Sequence, residues 1–128
     1  MIFGIGTDIL QVARVESAYE RFGQHFVDRL LMPAELAMFA SAKRPVRFLA
    51  MRFAAKEAII KAMGTGFANG MYLRDSGVKP DRFGRPEIIF SARGAAKCSE
   101  LGIAGGHLTL TDEAGLVVAV AVLERLDK

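Results

Sequence analysis

Residues 52–66 read RFAAKEAIIKAMGTG, and what this stretch folds into decides the rest of the chain. Pro45 suits a helix start and Gly64 a helix stop, so one long helix is expected over 45–64. At about 100° per residue, Leu49, Phe53 and Ile60 gather into a bulky apolar stripe. Arg52 and Lys56 flank that stripe on one side, Glu57 and Lys61 on the other. The opposite face holds Met51, Ala54, Ala55, Ala58 and Ala62, which leaves no broad polar side for water. A helix that is apolar or small nearly all round is a buried helix. Its alanines allow a neighbouring element to come close.

Charges on such a helix need a reason. Glu57 and Lys61 stand four residues apart, a spacing that in a solvated helix gives an ion pair contributing about 0.3–0.5 kcal/mol. In a crowded interior the desolvation cost exceeds that gain unless each group has a further partner. A carboxylate, a lysine one turn later and a Gly64-Thr65-Gly66 loop suit a phosphate-bearing ligand held through a divalent cation. Mg²⁺ takes one or two protein carboxylates together with phosphates and water. Lysine adds a point charge, and glycines let backbone N–H groups approach phosphate oxygens. The loop is no Walker A motif, because no Lys-Ser/Thr follows its second glycine and the helix precedes it.

The second carboxylate is expected from Asp8. Ile2 to Ile9 reads as a strand with Phe3, Ile5, Thr7 and Ile9 on one side and Ile2, Gly4, Gly6 and Asp8 on the other. The glycines leave that second face open to another backbone or a ligand. Asp8 also fits a helix N-cap or turn before ILQVARVES. A dinucleotide fingerprint does not fit GIGTDI, since the third glycine and a βαβ setting are missing.

Outward from these segments, a helix is expected around Val12 to Phe22 and another from MPAEL, with Pro33 in its first turn and Glu35 near the positive end of its dipole. GMYLRDSGVKPDRFGRPEIIF suggests two strands around a DRFG turn. Ser91 and Gly102 bracket a short helix. GHLTLTDEAGLVVAVAVLE reads as a hairpin whose returning strand is apolar on both faces and therefore expected to be covered on both. Grouped helices and antiparallel strands make residues 1–128 a single α+β domain with an antiparallel sheet and a long central helix.

Bulk properties narrow the function. The 128 residues suffice for one domain with a real core. They are 52% hydrophobic, with a mean hydropathy of +0.26, which points to core and to surface covered by other subunits. The longest apolar run, Ala114 to Leu123, is far short of the roughly 20 residues of a membrane span, and no secretory signal opens the chain. Cys98 is the only cysteine, so no disulfide forms within the chain, and a cytoplasmic protein is expected. Cys98 reads as a structural thiol, and His25 and His107 form no metal motif. The net charge of +3 calls for neither nucleic acid nor membrane. Arg14, Arg21 and Arg29 recur at seven and eight residues, near one face if a single helix runs that far; they form a solvated face or a docking strip for an acidic partner.

Taken together, GIGTDIL, RFLAMRFAAKEAIIKAMGTG, FGRP and GHLTLTDE resemble the holo-acyl-carrier-protein synthases, the small bacterial 4'-phosphopantetheinyl transferases, from Met1 to about Glu124. The resemblance implies an α+β protomer that assembles as a homotrimer with active sites at subunit interfaces. It implies transfer of the 4'-phosphopantetheine arm of coenzyme A to a serine of apo acyl carrier protein in fatty acid biosynthesis, releasing adenosine 3',5'-bisphosphate. By motif, Asp8 and Glu57 match the family's Mg²⁺ ligands, and with Lys61 they are its catalytic candidates. Lys61, Gly64, Thr65 and Gly66 match positions near the phosphates of coenzyme A, and Pro86 and His107 positions around its nucleotide. Arg14 and Arg21 match the basic first helix that meets the carrier protein, with Phe26 and Arg29 extending that surface. Many members have Ser-His-acid or Thr-His-acid where this chain has Thr111-Asp112-Glu113, so the histidine's role does not carry over and the part played by Asp112 and Glu113 stays open. The rival expectations are a non-catalytic trimeric module gripping acidic carrier proteins and a broad-specificity transferase. Metal-dependent binding of coenzyme A separates the first from an enzyme. The short chain argues against the second, whose class resembles two copies of this fold in one polypeptide.

Overall fold

Pro45 opens and Gly64 closes the long helix of the computed structural model, which describes residues 1–126. Gly64 takes φ 77°, a left-handed conformation suited to glycine at a helix end. The order is β1 (Ile2–Gln11), α1 (Val12–Phe22), α2 (Gln24–Leu30), α3 (Pro33–Phe39), α4 (Pro45–Met63), β2 (Ser76–Pro80), β3 (Pro86–Phe90), α5 (Ala92–Leu101), β4 (Ile103–Glu113) and β5 (Leu116–Arg125). One antiparallel sheet runs β1-β5-β4 and a second pairs β2 with β3. The expected α+β class is what forms.

The core is the contact of α4 with the larger sheet. Val117, Ala119, Ala121 and Leu123 of β5 are each 0% exposed, as are Ala54, Ala55 and Ala58 of α4. Gly4 and Gly6 make the approach possible: a Cβ on Gly6 would collide with the Ala58 carbonyl and stand 2.6 Å from the Ala62 nitrogen. The open glycine face expected on β1 is therefore filled by the backbone of α4.

Two readings take a narrower form in the single chain. The apolar strand β5 is covered on one face only within the chain. Its other face, with half-buried Val118, Val120 and Val122, lies between Ile5, Thr7 and Ile9 of β1 and His107, Thr109 and Thr111 of β4. Ile5 and Ile9 there are 59% and 66% exposed. The arginine strip is also broken: Gly23, at φ 55°, ends α1 and opens α2, so Arg14 and Arg21 share a helix that Arg29 does not.

The charges on α4 find partners on both flanks. On one, Lys56 is fully buried and donates to Glu35 of α3 at 2.5 Å and to the Ser76 carbonyl. Arg52 Nε stands 3.1 Å from the other Glu35 oxygen. Glu35 thus does more than favour the α3 dipole; it is the buried counter-ion of the central helix. The other flank makes the site.

Candidate active site

Asp8 sits near the end of β1 on the glycine-lined face, two residues beyond Gly6, and so points along α4. Glu57 and Lys61 are one turn apart on α4, which the close seat on Gly4 and Gly6 holds against β1. Asp8 and Glu57 consequently line one cavity of about 380 Å³, together with Arg14, Val15, Phe26 and Phe53. Lys61 does not pair with Glu57 as the spacing alone implied. Its ammonium lies 3.2 Å from Asp8 Oδ1 and donates to the Thr7 carbonyl at 3.0 Å.

The electrostatics follow from this packing. Burial pushes the Glu57 carboxyl above its ordinary pKa, the neighbouring Asp8 charge pushes it further, and Lys61 draws it partly back. A half-buried carboxylate beside a second carboxylate is stabilised by a cation placed between the two. Among the described residues no third His, Cys, Asp or Glu joins them. That donor set suits a hard ion which keeps positions for water and phosphate.

At the C-terminal end of α4, Gly64 and Gly66 take φ 77° and 65° and turn the chain where the carbonyl-rich helix end would otherwise repel an anion. The Thr65 hydroxyl is buried with no hydrogen-bond partner among the described residues, an available donor two residues past the helix. Asn69 holds the loop by donating to the Thr65 carbonyl at 2.5 Å.

Pro86 and His107 come together elsewhere. They line a hollow of about 710 Å³ with Asp81, Arg85 and Gly106, and it shares no lining residue with the carboxylate cavity. His107 is 73% exposed, with Nε2 2.6 Å from Glu124. The register explains the separation: His107 pairs with Val122 and Val122 with Ile5, three residues from Asp8. An odd offset puts His107 and Asp8 on opposite faces of the sheet.

Of the basic and aromatic residues, Arg14 reaches the carboxylate cavity and Phe26 stacks on Phe53, ring centres 6.5 Å apart. Arg21 lies over the exposed Phe22 ring at 5.2 Å, and Arg29 is exposed on α2. Asp112 takes both nitrogens of a fork from Arg47, at 2.8 and 2.9 Å, tying the end of β4 to the start of α4. That bonding holds the Asp112 carboxyl below the usual range. Glu113 is exposed at the turn, and Cys98 is buried, its thiol pushed up by desolvation, as a structural cysteine should be. No helix among the described residues is long and apolar enough to cross a membrane.

Residues 4–121 match the model of the 4'-phosphopantetheinyl transferase superfamily. The chain is 44% identical over 125 residues to a holo-acyl-carrier-protein synthase of Vibrio cholerae, covering 98% of this chain and 99% of that protein. It is 46% identical over 123 residues to the synthase of Halorhodospira halophila, covering 96% and 98%. Among solved structures, the crystal structure of the Neisseria meningitidis synthase superposes with a TM-score of 0.93 at 42% identity, covering 98% of this chain and all of that one. The Bacillus anthracis synthase, crystallised in complex with CoA (3',5'-ADP), gives 0.80 at 33% identity with 98% of each chain covered.

Proposed function

The chain belongs to the 4'-phosphopantetheinyl transferase superfamily, and from that premise we infer that it transfers the 4'-phosphopantetheine group of coenzyme A to a serine of apo acyl carrier protein. The observation that carries the reading is the meeting of Asp8 of β1 and Glu57 of α4 in one cavity, with the Lys61 ammonium 3.2 Å from Asp8. A single cysteine and a carrier-protein substrate fit a cytoplasmic enzyme of fatty acid synthesis.

Asp8 and Glu57 would hold Mg²⁺, which when bound supplies positive charge to the diphosphate of coenzyme A. Lys61 binds the same phosphates and stabilises the charge that grows on the leaving oxygen. Gly64, Thr65 and Gly66 extend that anion seat from the helix end with backbone N–H groups and the unpartnered Thr65 hydroxyl. The serine oxygen forms a bond to the phosphorus bearing the pantetheine arm, the bond to the second phosphate breaks, and adenosine 3',5'-bisphosphate departs. The serine proton passes to a carboxylate of the cavity or to water held there. Arg14, Arg21 and Arg29 steer the acidic carrier protein toward this mouth, and the Phe26–Phe53 stack offers it an apolar contact.

Pro86 and His107 would meet the nucleotide across a subunit boundary. The placement of His107 on the far side of the sheet from Asp8, with Pro86 in the same hollow and an exposed apolar sheet face beside it, supports a homotrimer in which one chain supplies Asp8, Glu57 and Lys61 and its neighbour Pro86 and His107.

Glu57→Gln tests the reading. Incubated with coenzyme A, Mg²⁺ and apo carrier protein, it should lose at least about 10²-fold in holo-protein formation, followed by mass, while its melting temperature stays near wild type. Holo-protein formed at the normal rate would remove Glu57 from the site.

A further inference from the structure

We propose that Glu35 is a positioning residue for Glu57, an inference that rests on the reading of Asp8 and Glu57 as a cation site. The central helix meets β1 through alanines seated on Gly4 and Gly6. Small, smooth side chains set how closely two elements approach. They do little to set how the helix is rolled about its own axis, because no knob enters a hole.

Directional bonds on the opposite flank supply what the alanines lack. Glu35 and Lys56 are each 0% exposed. The Glu35 carboxylate receives the Lys56 ammonium at 2.5 Å, the N–H of Met32 at 3.0 Å and the N–H of Val78 at 3.0 Å, with Arg52 at 3.1 Å. Lys56 also donates to the Ser76 carbonyl. One carboxylate therefore takes hydrogen bonds from the start of α3, from β2 and from Lys56 of α4, with the Arg52 guanidinium as an ion-pair partner one turn away.

Residue 57 follows residue 56, about 100° round the helix. Whatever fixes the roll at Lys56 fixes the direction in which Glu57 leaves the helix. A side-chain tip rides on a radius of about 5–6 Å, so a roll of about 10° carries it about 1 Å. A displacement of about 1 Å at a reacting centre costs up to about 10²-fold in rate. Stability alone is a weak reason to keep such a group, since a buried ion pair is often replaced by apolar residues of equal volume without loss. Orientation is the property an apolar replacement would not restore.

Full-length protein is used throughout, with Mn²⁺ as the probe ion, its free fraction read by electron paramagnetic resonance, beside melting temperature and kcat. Glu35→Gln/Lys56→Met removes both charges at nearly constant volume; its single amide oxygen keeps one of the Met32 and Val78 N–H groups, which Glu35 takes on separate oxygens. It is expected to melt below wild type, since Arg52 loses its counter-ion, and as a folded protein to bind Mn²⁺ about tenfold more weakly and to lose about 10²-fold in kcat. Glu35→Asp keeps the charge but withdraws it by one methylene; a loss of about fivefold in both affinity and kcat is expected, and it decides the matter if the double variant does not fold. Wild-type Mn²⁺ affinity and kcat in either folded variant overturn the proposal. A wild type that takes up no Mn²⁺ refutes the cation reading instead, and kcat in the same variants still decides the role of Glu35.

Discussion

At the scale of single residues, the site depends on what Lys61 does. Its ammonium neutralises Asp8 from 3.2 Å, the place a cation would share, and it is 52% exposed, free to turn toward an arriving phosphate. Removing that charge has opposite effects on the two ligands. Lys61→Met should weaken coenzyme A binding about tenfold and tighten Mn²⁺ binding measured without coenzyme A. Calorimetric titrations of both ligands give the signs directly, and looser Mn²⁺ binding in the variant would count against Lys61 as a competitor for Asp8. The fold brings Asp8 beside Lys61 and into one cavity with Glu57, and these three candidates were marked out in the sequence by residue type and spacing. Glu35 was not. Its partners are two side chains of α4 and a backbone N–H of β2, and no local pattern distinguishes a dipole-facing glutamate from a buried counter-ion.

At the scale of elements, the close seat of α4 on β1 places the two carboxylates together, and glycine makes it possible. Gly6→Ala would push a Cβ into the Ala58 carbonyl, a backbone atom that cannot swing aside. A cost of about 3 kcal/mol, or about 10 °C in melting temperature, is expected, with Mn²⁺ affinity reduced as the helix lifts from Asp8. Gly105→Ala, where a Cβ meets nothing within 4 Å, is the control and should melt like wild type. A second element-level device is Asp75, which receives the Tyr72 N–H, the Ser91 hydroxyl and Arg93 and so joins the start of β2 to that of α5. Burial raises its pKa, but these bonds outweigh burial and hold it below the ordinary value. A depressed carboxylate contributes stability above its unfolded pKa of about 3.9 and loses it as pH falls through the folded value. Thermal melts of Asp75→Asn should therefore lie below wild type at pH 7 and converge with it below about pH 4; parallel curves across that range would sink the account. Element boundaries were mostly readable from caps such as Ser91, Gly102 and Gly64. The end of α1 at Phe22 was readable as well; what stayed open was whether a helix ran on to Arg29, and Gly23 at φ 55° ends it first.

At the scale of the whole molecule, one chain leaves two things unfinished. The outer face of the β1-β5-β4 sheet exposes Ile5 and Ile9, and the Pro86–His107 hollow stands apart from the carboxylates. The sequence could not reveal the first, because an apolar strand reads alike whether its second face meets its own chain or another. The proposed cyclic trimer would answer both at once, since a head-to-tail contact brings unlike surfaces of neighbouring copies together. Val120→Glu, at the middle of that face, should then give a folded monomer by light scattering and abolish transfer with it. Complementation is the sharper test. Asp8→Asn and His107→Ala are each prepared alone, then mixed, dissociated and reassembled. If Asp8 and His107 of one site belong to different chains, random assembly gives about a quarter of sites with both residues intact, and activity returns to that fraction of wild type. If they belong to the same chain, no mixed site is complete and activity stays at the level of the two variants alone, whatever oligomer they form.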